Sequence, residues 1–360
     1  MTSLPLGTSR VSADATRGVG HLVLQRPEAL NALDIGMVRG LRTALEAWRD
    51  EPDVERLLLE GAGERGLCAG GDVRGLAEAI MAGDAEGAGS FFREEYALNA
   101  AIAEYPKPIV VLADGVTMGG GIGLAGHAAV RVVTERSALA MPETRIGFTP
   151  DVGGTHLLAR APGRVGEYLA LTGATMSAAD AIYAGFADLL VPSDRLGAVR
   201  EALESRADPS GATEIVMLFD ESPEASALER DRGWIDASFG ADDVPAIIAS
   251  LLERPEPEAS ATARLLESLS PTALAVTLAS VRAARDHPDL RTTLEREYGL
   301  AMWFAHTQPD LPEGVRARLI DKDGAPVWRP ATLGELPADI VREALAYRPT
   351  IALWDRPSLE

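Results

Sequence analysis

The stretch TMGGGIGLAG, Thr117 to Gly126, decides how the chain is read. From Gly121 it spells G-I-G-L-A-G, a match to the G-x-G-x-x-G fingerprint of dinucleotide-binding folds, and the apolar run IVVLADG (Ile109–Gly115) precedes it. That fingerprint needs a strand, a tight glycine turn, a full helix and a second strand in close succession. The spacing here does not supply them. Val116, Thr117 and Met118 part the strand from the glycines. The next strand-like run begins near Val130, about four residues past Gly126, whereas a parallel crossover takes a dozen or more. Two other readings stand: glycines that let a helix pack closely, or glycines that open a short helix and leave its first N–H groups free for an oxyanion. The second is favoured by a similar stretch upstream, GLCAGGDV (Gly66–Val73), set between the strand-like RLLLEGAG and the helix-like RGLAEAIM. Two such junctions, about fifty residues apart, can aim two amide N–H groups at one carbonyl oxygen.

The surrounding chain sets the scale. Its 360 residues exceed one ordinary core, and 46% hydrophobic content is enough to bury a large one. A formal charge of −20 argues against nucleic acid or an anionic membrane as the main partner. With one cysteine, Cys68, there is no intrachain disulfide, which fits a reducing compartment, and a cytoplasmic location is expected. No run of apolar residues is long enough to span a bilayer. The opening MTSLPLGTSRVSADATRGVG lacks the apolar segment of a secretory signal. Its Ser, Thr and Arg give it a slight likeness to a transit peptide, countered by its shortness and by Asp14.

Short apolar runs predict strands at HLVLQR (21–26), VERLLLEG (54–61), PIVVLADG (108–115), VRVVTE (130–135) and ADLLVP (187–192). Val38, Leu41, Leu45 and Trp48 fall at helical spacing behind Asp34 as N-cap. SFFREEYALNAAIAEY (90–105) also reads as helix, and GEYLALTG and SAADAIYAG read as short helices ending at Gly173 and Gly185. SRADPSGAT (205–213) and ERPEPEASA (253–261) have the composition of linkers. PTALAVTLASVRAARD and LRTTLEREYGLAMWFAHT beyond them are amphipathic helices. The expected organisation is an α/β core over 1–200 followed by a mostly helical region over 201–360.

Four motifs, RPEALNALD (26–34), GLCAGGDVRGL (66–76), GVTMGGGIGLAGH (115–127) and MPETRIGFTPDVGGTHLLAR (141–160), resemble the crotonase, or enoyl-CoA hydratase/isomerase, superfamily in order and spacing. FFREEYALN (91–99), the PET…PDVGG pairing and PEGVRARLIDKDGAPVWRP (312–330) are most similar to its 3-hydroxyisobutyryl-CoA hydrolase branch, so the likeness runs nearly end to end. The resemblance implies a spiral of ββα turns with a helical C-terminal part. It implies oxyanion amides at Gly71 and Gly120, and a coenzyme A moiety along Leu30 and Ala32 and along Ala69, Asp72 and Val73. It implies catalysis by Glu143 and Asp151, with Glu95 lining the acyl pocket. Coenzyme A would enter as part of the substrate, with no separate cofactor, and a trimer or a dimer of trimers is implied.

Hydratases of the superfamily use a second glutamate two residues beyond the glycine triplet, where this chain has Gly123. With no acid-base group there, hydration of an enoyl-CoA is not the expected main activity. Glu143 and Asp151 stand eight residues apart across a stretch that Pro142, Gly147 and Pro150 make a loop. For thioester hydrolysis, Glu143 would attack the carbonyl to form a mixed anhydride or would activate water. Asp151 would orient the water or a substrate hydroxyl and protonate the leaving thiolate. Thr149 replaces a large apolar residue of the hydrolase pattern, which suggests a wider or more polar acyl pocket. Glu95 beside Arg93 and Glu94 also permits a surface salt bridge. The competing activities are an isomerase using the same Glu/Asp pair as a proton shuttle and an acyl-CoA binder without turnover.

Other residues read as structural. Cys68 has no histidine partner with motif support, and no G-x-S-x-G elbow, H-E-x-x-H metal spacing or G-x-x-x-x-G-K-[ST] loop occurs. His127 and His156 are read as structural, and Trp303, Phe304 and Trp328 as core.

Overall fold

The computed structural model describes residues 2–205 and 211–354. Most of the 205–213 linker expectation therefore falls outside the described residues. Among the described residues ten strands form two sheets. The larger runs in the order β1 (Thr2–Ser3), β2 (Val11–Thr16), β3 (Gly18–Leu24), β4 (Val54–Gly61), β6 (Ile109–Ala113), β8 (Val130–Val133) and β10 (Leu189–Leu190). The smaller is β5 (Gly66–Cys68), β7 (Val116–Met118) and β9 (Ala138–Ala140). Pairing is antiparallel from β1 to β3 and parallel everywhere else. The parallel strands of the large sheet are rich in Val, Leu and Ile, with β6 apolar and buried throughout, as a strand covered on both faces requires.

Chain order gives the repeat its form. Three times a strand of the large sheet leads to a strand of the small sheet and then to helix. The helices concerned are α2 (Val73–Met81) with α3 (Ala85–Ala103), α4 (Gly120–Ala125), and α5 (Gly154–Arg160) after a 3-10 turn at Glu143–Ile146. The α1 helix (Ile35–Trp48) precedes the repeat; Asp34 caps it by accepting from the Met37 N–H at 2.9 Å. This is the expected ββα spiral. Two helices come next, α6 (Val165–Thr172) and α7 (Ala178–Tyr183). Left-handed Gly173 ends α6, and left-handed Gly185 lies one residue past the last turn of α7. The rest is helical: α8 (Leu196–Leu203), α9 (Ala212–Met217), α10 (Ala227–Phe239), α11 (Val244–Leu252), α12 (Pro257–Glu267), α13 (Pro271–Asp286), α14 (Leu290–Thr307), α15 (Asp310–Val315) and α16 (Ile340–Ala346).

Two segments differ from the expectation. The opening residues are strands, with left-handed Arg17 and Gly18 closing a two-residue hairpin between β2 and β3. The expected 253–261 linker is only a short connection, because α12 begins at Pro257, where proline suits the first turn of a helix.

Internal contacts divide the chain into two units. One comprises Met1–Gly71, Ala97–Ala140 and Thr175–Ala227; the other comprises Asp72–Tyr96, Met141–Ala174 and Leu228–Glu360. The first unit's core packs Val19, Leu58, Val110 and Val132 with Val199, Ile215 and Val216. In the second, helix α15 lies against the turn that carries Glu143. A Cβ on Gly314 would stand 2.3 Å from the carbonyl carbon and oxygen of Ile146. Asp310 of the same helix is buried, accepting from the Ser270 hydroxyl at 2.6 Å and the Arg329 N–H at 2.9 Å. Gly314→Ala is expected to destabilise the protein by about 1–3 kcal/mol, since backbone cannot move aside as a side chain can. Gly334→Ala, with nothing within 4 Å of the added carbon, is the control. Equal denaturant midpoints for the two variants would refute the close approach.

Candidate active site

In the first unit, two glycine turns adjoin. Gly70 has φ +111, and a Cβ there would stand 3.2 Å from the Met118 carbonyl oxygen and 3.6 Å from the Gly120 nitrogen. Gly120 opens α4, so its N–H has no partner within the helix. A Cβ on Gly121 would lie 2.4 Å from the Cys68 carbonyl oxygen, so this glycine serves close backbone approach rather than a pyrophosphate. The Leu33 N–H donates to the Gly70 carbonyl at 2.8 Å, and Leu33 pairs in parallel with Gly71. The Ala69 N–H donates to the Leu30 carbonyl at 2.9 Å. Leu30 and Ala32 are thus laid along Ala69–Gly71, and these residues other than Gly70 remain half-buried, open to a ligand.

Asn31 holds that segment. It is buried and left-handed; its side chain accepts from the Arg26 N–H and donates to the carbonyls of Ala62 and Gly66 at 3.0 and 3.2 Å. Cys68 is fully buried, with its Sγ 3.2 Å from the Asn31 carbonyl and 3.4 Å from the Gly70 N–H. It braces the turn as a small core residue.

The second unit holds the carboxyl groups. Asp72 caps α2, its carboxylate 3.4 Å from the Gly75 N–H, and half-buried Val73 is the first residue of that helix. Glu143 opens the 3-10 turn behind Pro142, and left-handed Gly147 closes it. Asp151 comes after Pro150 and precedes two left-handed residues, Val152 and Gly153. Glu95, Glu143 and Asp151 are all buried. The Tyr96 hydroxyl donates to Asp151 Oδ2 at 2.7 Å, while Glu95 Oε1 and Glu143 Oε2 find no hydrogen-bond partner among the described residues. Burial places Glu95 away from solvent, which rules out the surface salt bridge; Arg93 instead reaches the Tyr298 hydroxyl at 3.5 Å.

Burial drives the electrostatics. It raises the Glu143 carboxyl well above its ordinary range, and repulsion from Asp151 adds to the rise. Glu95 is raised for the same two reasons. Asp151 is pushed up to about 7 by burial, with the Tyr96 hydroxyl pulling the other way. A carboxyl at about 7, as Asp151 has, exchanges its proton near neutral pH.

Two members of this cluster are not legible in the motifs. Tyr96 lies next to Glu95 within FFREEYALN and carries no signal of its own. Glu297, on α14, is fully buried and binds the backbone just past Asp151. Aromatic rings wall the cluster: Phe148 stacks on Phe92 at 5.9 Å and meets Phe304 edge-on at 5.4 Å, and Tyr96 meets Tyr298 edge-on at 6.3 Å. Trp303, Phe304 and Trp328 are buried, as expected of core residues. Thr149 is buried and accepts a hydrogen bond from Thr277 of α13 at 3.0 Å, which accounts for its hydroxyl without a more polar pocket. His156 is largely buried and contacts Arg160. Among the described residues no group of three His, Cys, Asp or Glu is placed to hold a metal ion. Nor is any helix there long and apolar enough to cross a membrane.

The sequence pattern described as enoyl-CoA hydratase/isomerase matches residues 19–345. The mitochondrial 3-hydroxyisobutyryl-CoA hydrolase of Rattus norvegicus is 38% identical over 337 residues, covering 91% of this chain and 86% of its own. A carnitinyl-CoA dehydratase from Mycobacterium thermoresistibile, known from its crystal structure, is 45% identical with a TM-score of 0.91, covering 96% of this chain and 99% of its own. An enoyl-CoA hydratase from Rhodobacter sphaeroides 2.4.1 is 41% identical with a TM-score of 0.88, covering 94% and 98%.

Two measurements probe the acid cluster. An Asp whose pKa is about 7 folded and 3.8 unfolded takes up a proton on folding between those values, so stability falls as pH rises through that window. Asp151→Asn is expected to exceed wild type in stability at pH 8 by on the order of 1 kcal/mol or more, with the advantage gone near pH 4. Equal stability at both pH values would contradict a raised Asp151. Tyr96→Phe removes a donor to the ionised form, so a carbon-13 carboxyl titration should show Asp151 moving higher still. A downward or absent shift would overturn the role given to that hydrogen bond.

Proposed function

The chain belongs to the enoyl-CoA hydratase/isomerase family, and from that premise we propose that it hydrolyses an acyl-CoA thioester, with 3-hydroxyisobutyryl-CoA of valine breakdown as the substrate. The observation that carries the reading is the buried pair of acids, Glu143 and Asp151, both with raised proton affinity. Identity to the rat hydrolase across most of both chains supports the reaction class. The amides of Gly71 and Gly120 act as oxyanion donors, each typically worth about 3–4 kcal/mol at the transition state. Leu30, Ala32, Ala69, Asp72 and Val73 take the coenzyme A moiety, which arrives as part of the substrate. Glu95 takes the acyl group's polar end.

In the chemistry proposed, Glu143 either adds to the carbonyl carbon or removes a proton from water that adds there. The carbon–sulfur bond breaks, and Asp151 in its acid form protonates the thiolate. In the first route water then opens the Glu143 anhydride. Both consume one water and yield the carboxylic acid and the free thiol. Burial strengthens Glu143 as a base once ionised, and a group near pH 7 suits Asp151 to giving and retaking a proton.

A second reading, hydration or dehydration of an enoyl-CoA, is favoured by the two similar solved structures, which are named a dehydratase and a hydratase. Gly123 opposes it: the residue sits inside α4 with no side chain to move a proton. Isomerisation by the same acid pair requires no thiol release. Wild-type protein incubated with 3-hydroxyisobutyryl-CoA and a thiol reagent is expected to release one thiol per substrate, and Glu143→Gln to slow that at least about 100-fold. Conversion of crotonyl-CoA or a dienoyl-CoA without thiol release would replace the hydrolase reading, and undiminished turnover by the variant would remove Glu143 from the chemistry.

A further inference from the structure

Glu297 Oε2 accepts from the Gly153 N–H at 2.6 Å, and its Oε1 accepts from the Thr155 N–H at 2.9 Å and the Thr155 hydroxyl at 2.5 Å. These donors sit two and four residues past Asp151. Between them and Asp151 lies Val152, a β-branched residue at φ 53, with Gly153 next at φ 77. Valine in the left-handed region is strained and persists only where its surroundings enforce it. Within the turn the Gly154 N–H reaches the Asp151 carbonyl at 2.6 Å. The carboxylate from α14 is a further hold on it. Donors approach both of its oxygens, an arrangement an amide cannot match because one arm would present N–H to N–H.

We propose that Glu297 is a positioning residue: by clamping the amides of Gly153 and Thr155 it fixes the left-handed turn and so keeps the Asp151 carboxyl on the Tyr96 hydroxyl. This rests on the reading of Asp151 as a reacting acid. The clamp also explains why a carboxyl is tolerated at a fully buried helical position, where a lone acid is strongly disfavoured. Burial raises Glu297 to about 8, and the three donors oppose that rise.

The test is a double-mutant cycle on thiol release from 3-hydroxyisobutyryl-CoA. Glu297→Gln in the wild-type background is expected to lower kcat about 10- to 100-fold. Binding of an unreactive S-alkyl coenzyme A thioether should keep its stoichiometry, with Kd changed less than twofold. In the Asp151→Asn background the same substitution should change the residual rate less than twofold, because it acts through Asp151. Equal losses in both backgrounds, or a loss that tracks binding stoichiometry, would reduce Glu297 to a general structural role and overturn the proposal. Should Glu297→Gln fail to fold, Thr155→Val removes one donor and enters the same cycle; a loss confined to the Asp151 background supports the clamp, and no loss refutes it. A crystal structure of either variant gives a readout independent of turnover. Asp151 should leave the Tyr96 hydroxyl, and a retained 2.7 Å contact overturns the positioning role. Absence of thiol release by the wild type would sink the hydrolase reading alone.

Discussion

Burying several carboxyl groups together is the constraint around which the second unit is arranged. Glu95, Glu143, Asp151 and Glu297 are all removed from water, and burial raises every one of them. Such groups destabilise a fold unless donors meet them or protons neutralise them. Two are met: Asp151 by Tyr96, and Glu297 by Gly153 and Thr155. Glu95 and Glu143 each keep an oxygen without a partner among the described residues. The division is informative. Glu297 binds the backbone of the turn after Asp151, while Glu95 and Glu143 each keep an acceptor oxygen that a ligand could use. Phe92, Phe148, Tyr298 and Phe304 are buried in the same unit, and burial is the leading cause of each shift.

The first unit solves a different problem, bringing backbone close to backbone. At Gly70 and Gly121 the neighbouring chain occupies the space of a side chain. There remain main-chain N–H groups in a setting cleared of side chains, with Asn31 and Cys68 beneath to keep the turn in place. In the proposed reading, amide donors of this kind would stabilise an oxyanion whichever way the intermediate then breaks down. The chain's relatives include both a protein named a hydratase and one named a hydrolase. Gly123, inside α4, brings no side chain to that place.

Much of the fold is legible because local signals are strong. VERLLLEG is strand β4 to the residue, and the two amphipathic stretches of the tail are α13 and α14 to the residue. The hairpin strand β2 escapes such a reading because VSADAT alternates weakly, and its pairing is set by the turn at Arg17–Gly18. The start of α3 escapes it because Gly87 and Gly89 interrupt its pattern, and α12 because Pro, Glu, Ala and Ser resemble a linker until proline is placed in the first turn. In the candidate site, motif spacing identifies Glu143 and Asp151 as neighbours. It gives no hint of Glu297, whose contact spans 144 residues, nor of Thr277, which answers Thr149 across 128. Long-range pairings of single polar residues leave no periodic trace.

The bracing of the Asp151 turn by α14 bears on how the nascent polypeptide behaves at the ribosome. Glu297 is joined 144 residues after Gly153, about 7–30 s later at ordinary elongation rates. Until then the Gly153 and Thr155 amides lack this acceptor, and Phe148 lacks its edge-on partner Phe304. The clamp on this turn is therefore completed only when the last third of the chain arrives.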